Sequence, residues 1–156
     1  MMLISNGAII INNQKIGLDM NMVDVESIVY NCIISKRHIN NSDQSFIEIV
    51  QNVYNIKCKV LFHFRNERLK LITITVNKEA YWVTSSCTDY EIKLYNNLKG
   101  QFDAIFDVIY TTENSIIYQS DDLYIIIAVS HINYTFSILI QKALCKASLA
   151  HELLHS

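Results

Sequence analysis

The sequence predicts an α+β fold: an antiparallel sheet of about six to eight strands, two main helices on one face and a short C-terminal helix. Two observations lead there. Alternating apolar residues, punctuated by turn signals, recur along much of the chain, and two stretches change to helical spacing behind a capping residue. The order, a helix followed by antiparallel strands, occurs twice, which suggests two similar helix-plus-meander halves. The 156 residues are 51% hydrophobic and 18% charged, with mean hydropathy +0.17. That balance suits one globular domain over residues 1–156 with an ample core, and it excludes intrinsic disorder.

The elements follow in order. Ala8-Ile9-Ile10-Ile11 and Lys15-Ile16-Gly17-Leu18 flank Asn12-Asn13-Gln14 and read as a hairpin, because asparagine tolerates the left-handed backbone that tight turns use. Asn21 can cap a helix with Asp24 in its first turn, and Val25, Ile28, Val29, Cys32 and Ile33 fall on one apolar face. Residues 36–43 read as a polar loop. Residues 45–54 fit both templates: Phe46, Ile49, Val50, Val53 and Tyr54 have helical spacing, whereas the β-branched content favours a strand, and the strand is preferred. Cys58, Val60, Phe62 and Phe64 alternate with polar neighbours, turn at residues 65–68 and return through Leu69, Leu71 and Ile72-Thr73-Ile74-Thr75-Val76 as a hairpin.

In the second half, Thr88 and Glu91 resemble a capping box ahead of Ile92, Tyr95, Leu98 and Phe102, with Gly100 either a C-cap or an interior glycine. Strands are expected over about residues 116–119, 123–130 and 134–140, the last two joined by His131-Ile132-Asn133. Residues 141–156, rich in Ala, Leu and Lys, predict the terminal helix.

Charge is uneven: residues 1–78 carry a net +3 and residues 79–156 a net −5. Between Thr88 and Asp122, Asp89, Glu91, Asp103, Asp107, Glu113, Asp121 and Asp122 face only Lys93 and Lys99, so a partner docking there should be basic and not a nucleic acid. Tyrosines share this half. Tyr90, Tyr118 and Tyr124 lie next to or between carboxylates and are expected at the surface, where tyrosine offers large contact area with a hydrogen-bonding tip. Asp89, Tyr90, Glu91, Asp103, Asp107, Glu113, Tyr118, Asp121, Asp122 and Tyr124 are therefore the candidate partner-binding residues.

One motif carries chemistry. His151-Glu152-Leu153-Leu154-His155 spells H-E-x-x-H; on a helix the two histidines share a face that binds Zn²⁺, and Glu152 can act as general base on a metal-bound water. Zinc peptidases place a third ligand after this motif, and here it would have to come from upstream, where Glu113, His131 or His63 are available by type. The competing reading is a terminal helix whose Leu149, Leu153 and Leu154 cover part of the core while the histidines face solvent. With three glycines, no phosphate-cradling loop can form. Arg65, Arg68 and Lys70, with Lys57 and Lys59, form a basic cluster, read as charges that solubilise a hairpin. Cys32, Cys58, Cys87 and Cys145 stand too far apart for a zinc knuckle and read as free thiols. No apolar run reaches the ~18 residues of a membrane span, and the first residues lack the features of a signal peptide, so a cytosolic location is expected.

A mildly acidic chain rich in Ile and Asn, with the strand Lys15-Ile16-Gly17-Leu18-Asp19-Met20, then a capped helix, then β-meanders, resembles the immunity proteins of contact-dependent growth inhibition and related polymorphic toxin systems. The likeness is one of overall style and carries no residue by motif. It implies a non-enzymatic, cofactor-free protein that neutralises one cognate toxin, commonly a nuclease with a basic active site. A zinc-dependent hydrolase or zinc-binding protein using His151 and His155, with Glu152 as general base in the hydrolase, and a non-catalytic structural or adaptor subunit, are the alternatives.

Overall fold

The computed structural model describes residues 2–5, 8–81, 89–113, 115–120, 123–130 and 135–142. Among them the fold is α+β, a large and almost wholly antiparallel sheet with two α-helices. In chain order come β1 (Met2–Ser5), β2 (Ala8–Ile11), β3 (Gln14–Ile16), α1 (Met22–Val29), β4 (Ile33–His38), β5 (Gln44–Val53), β6 (Ile56–Arg65) and β7 (Arg68–Val76). Then follow α2 (Asp89–Ile105), β8 (Asp107–Thr111), β9 (Ser115–Ser120), β10 (Leu123–Ser130) and β11 (Thr135–Lys142). The eight strands read from sequence are all present, and β1, β4 and β8 are additional.

The sheet order is β3-β2-β1-β5-β6-β7-β11-β10-β9-β8, with β4 paired to β5 on the edge opposite β6, which it shares with β1. Two meanders, β4 to β7 and β8 to β11, therefore meet through the antiparallel pair β7–β11. The single parallel contact is Met2 opposite Val53.

Local chemistry explains most of these elements. Two-residue turns at Asn12-Asn13, Tyr54-Asn55 and Asn66-Glu67 all have positive φ, the mirror-image turn that suits twisted hairpins. In a chain with three glycines, asparagine takes that role at one or both positions of each turn. The Asn21 side chain accepts from the Val23 N–H at 3.1 Å and starts α1. The helix is shorter than the apolar spacing suggested: it stops at Val29, a 3-10 turn spans Tyr30–Cys32, and Ile33 is already extended. The first three residues of the expected polar loop, Lys36, Arg37 and His38, belong to β4, whose residues after Ile33 are all exposed. An edge strand held by backbone bonds to β5 needs no apolar alternation, so its sequence looked like a loop.

The stretch that fitted both templates is a strand through Val53, with Ile47, Ile49 and Val53 inward and Tyr54 in the turn that follows. On α2 the buried positions are Glu91, Leu94, Leu98 and Phe102, so the apolar face is rotated from the expected Ile92-Tyr95-Leu98-Phe102 stripe. Gly100 sits inside the helix and is no cap. Gln141 and Lys142 end β11 instead of opening a helix; the rest of the expected terminal helix, including His151, Glu152 and His155, lies outside the described residues.

One large core gathers Val25 and Val29 of α1, Leu94, Leu98 and Phe102 of α2, and inward residues of the sheet such as Ile49, Phe62, Ile74, Ile125 and Ile138. On β9 and β10 alternate residues join a second cluster, Ile117, Tyr124 and Ile126 with Ala128 and Leu139, so both strands are apolar on both faces. No helix among the described residues is long and apolar enough to cross a membrane.

Candidate functional site

α2 and β8 carry half of the candidate partner-binding residues. Asp89 and Tyr90 open α2 and are exposed, Tyr90 at 40%. Asp103 lies on its last turns, Asp107 begins β8, and Glu113 lies in the turn after β8; all three are exposed. Asp103 is the most engaged: Lys99 Nζ lies 2.5 Å away, and the Tyr118 hydroxyl donates to it at 2.7 Å. These bonds, the lysine's first, hold its carboxyl below the usual range. Among the described residues no cation pairs with Asp89, Asp107 or Glu113.

Three of the ten candidates are not at the surface. Glu91 is 1% exposed and forms an ion pair with Lys78 Nζ at 3.3 Å, while the Phe136 N–H donates to Glu91 Oε1 at 3.5 Å. Its phase on α2 points it at the sheet, where a carboxylate persists only with such partners. Tyr118 is fully buried, its ring edge-on to Phe102 at 5.5 Å, with only its hydroxyl reaching Asp103. Burial and the Asp103 charge both push its phenol pKa up. Tyr124 is buried in the second apolar cluster. Neighbouring carboxylates in sequence did not report exposure here, because on a strand adjacent residues point to opposite faces. Asp121 and Asp122 lie outside the described residues.

The same surface holds large apolar side chains that the sequence reading either placed on the buried stripe of α2, as with Ile92, or left unassigned. Ile92 is 50% exposed, Ile105 57%, Val108 49%, Ile109 39% and Tyr110 48%. The available signal was the β-branched and aromatic run Val108-Ile109-Tyr110, a short strand by composition. Between α2 and the inner face of the sheet lies a cavity of about 330 Å³. Ile92 and Tyr95 of α2 form one wall, and Ile116, Ile127 and Phe136 form the floor. Glu91, Lys99, Thr111 and Glu113 also line it. A mostly apolar hollow with a few polar groups accepts an apolar group and orients it.

The other candidate chemistry is packed away. His63 stacks on Phe46 (4.6 Å between centroids, 12° between planes) and bonds Gln44 Oε1 at 3.1 Å, while Arg37 covers Phe46 at 4.8 Å. Burial, then the Arg65 charge, lowers its pKa. In the basic cluster Arg65 lies 4.0 Å from Asp43, Lys59 3.5 Å from Glu79 and Lys70 2.8 Å from Asp19, so paired carboxylates offset much of its charge. Among the described residues no three His, Cys, Asp or Glu side chains gather to hold a metal ion.

No family model matches the chain, and no curated protein matches it. Among solved structures it is similar to a cysteine-rich secretory protein from Staphylococcus aureus subsp. aureus Mu50, at 9% identity and a TM-score of 0.41. The match covers 85% of this chain and 46% of that one, so this chain spans about half its length.

Proposed function

We propose that this chain is an immunity protein, a cytoplasmic, non-enzymatic inhibitor that binds a basic toxin domain, a nuclease, through α2 and β8. One observation carries the reading: Asp89, Asp107 and Glu113 are exposed on the elements that also expose Tyr90, Ile92, Ile105, Val108, Ile109 and Tyr110. Carboxylates steer a basic partner into encounter, and desolvated apolar and aromatic side chains slow its departure. Occlusion of a substrate cleft then needs no chemistry from the inhibitor. We also read α1 with β4 to β7, and α2 with β8 to β11, as similar halves with both helices on one sheet face, since residues of both helices enter one core.

The test is protection. The chain is co-expressed with a basic nuclease domain from a toxin of its own source, the partner this reading requires, and growth is followed. The wild type should rescue growth, and an Asp89→Lys/Asp107→Lys/Glu113→Lys variant should not. Equal rescue by that variant would move the interface elsewhere; no rescue and no complex with the wild type would end the immunity reading.

A further inference from the structure

Resting on that reading of the surface, we propose how the partner is held: an extended basic segment pairs with β8 as an added strand and sets one apolar side chain into the cavity beside it. Among the described residues β8 ends the sheet with β9 as its one neighbour, so its outer row of backbone N–H and C=O groups faces none of the described strands. Such an edge is a template for another chain. All five of its residues are exposed, and the three central ones are Val108, Ile109 and Tyr110.

The other edges are defended. β3 is three residues long and carries Lys15. β4 presents Lys36, 2.8 Å from Glu26, then Arg37 over Phe46, then His38 bonded to Ser45 at 2.8 Å. Short length and charged side chains are what keep an edge from pairing. β8 has one charge, Asp107. Its bulge near Ile109 bends the strand without covering it.

The cavity adjoins this edge. Thr111, the last residue of β8, lines it together with Ile92 and Tyr95. A strand added ~4.8 Å beyond β8 alternates its side chains, so every second one faces α2, and the one beside Thr111 is directed at the cavity mouth. About 330 Å³ is at the small end of ligand pockets and suits one large side chain. Asp107 at one end of β8 and Glu113 beyond the other favour lysine or arginine about four to six positions apart in the incoming segment. A second copy of this chain is the poorer occupant, because it would bring Asp89, Asp107 and Glu113 against their own equivalents.

The probe is a short synthetic peptide with lysine at each end, alternating valine and threonine, and a central tryptophan, used at millimolar concentration. Amide exchange and methyl signals of the intact chain are read by NMR. At ~10 times its Kd the peptide should slow exchange of β8 amides roughly tenfold and shift the Ile116 and Ile127 methyls. Val108→Lys/Tyr110→Lys should abolish both effects, and Thr111→Trp, at an exposed rim position, should remove the methyl shifts by filling the mouth. Unchanged β8 exchange overturns the proposal, as does β8 protection that grows with protein concentration in the absence of peptide. Loss of rescue by the triple carboxylate variant together with unchanged β8 exchange would leave the acidic interface standing and remove only the strand addition.

Discussion

Removing the Glu91 carboxylate tests whether the candidate surface rests on a buried ion pair. Glu91 is 1% exposed and its partner Lys78 12%, with 3.3 Å between the charged atoms. Deleting one member of a buried pair costs about 3–5 kcal/mol, because the remaining charge stays desolvated. Lys78 keeps some access to water, which places Glu91→Ala near the lower end, about 3 kcal/mol. The Phe136 N–H also loses an acceptor, but at 3.5 Å that bond is long and adds little. For a chain of this size each kcal/mol lowers Tm by about 2–4 °C, so a fall of about 6–12 °C is expected by calorimetry, with a matching shift in urea midpoint. Glu91→Gln keeps the volume and an acceptor and should cost less. Lys78→Met/Glu91→Leu removes both charges and should recover most of the loss. A cost below about 1 kcal/mol for Glu91→Ala, or a double variant as unstable as the summed single changes, would refute the buried pair.

Gly100 occupies an exposed helix interior where an added Cβ meets nothing within 4 Å, so Gly100→Ala should stabilise by about 0.5–1 kcal/mol, read as a higher urea midpoint. Burial pushes the Cys58 thiol up to about 12, so iodoacetamide at pH 8 should leave Cys58 unmodified in the native protein and label it after unfolding, as peptide mapping will show. For His63 the folded pKa lies below its ordinary 6.5, because burial and Arg65 disfavour the charged ring. The unfolded chain then binds the proton first, so this stabilisation is present above pH 6.5 and is lost as pH falls through the folded value. Urea midpoints should drop over that interval, and His63→Leu should flatten the drop. Asp19, depressed by Lys142 and then Lys70, behaves likewise in acid: its contribution is present above 3.8 and lost below it.

Where the chain alternates, its sheet was legible: β6 and β7 follow from residues such as Val60, Phe62 and Ile74, which leave one face no alternative but the core, whereas β5 also fitted helical spacing and was preferred as a strand on β-branched content alone. The Asn21 cap was legible for the same kind of reason, since the side chain itself makes the bond. β4 and β8 were not, because an exposed edge strand carries no apolar alternation and owes its geometry to backbone bonds with the strand that follows it. The phase of α2 depended on Glu91, a charged residue read as outward until its lysine partner is placed beside it. The acidic patch was half legible. Asp89, Tyr90, Asp103, Asp107 and Glu113 stand at the surface, whereas Tyr118 and Tyr124 went to the two faces of a sheet whose outer side is also apolar.

The central claim is that the carboxylates of α2 and β8 meet a basic toxin domain. Association and dissociation rates of the wild type and the Asp89→Lys/Asp107→Lys/Glu113→Lys variant with the proposed nuclease domain, measured at low and high salt, test it most directly. The account predicts a wild-type on-rate that falls steeply with salt and a variant on-rate at least about tenfold lower at low salt, with its salt dependence largely gone. Equal on-rates for the two proteins at low salt would contradict it.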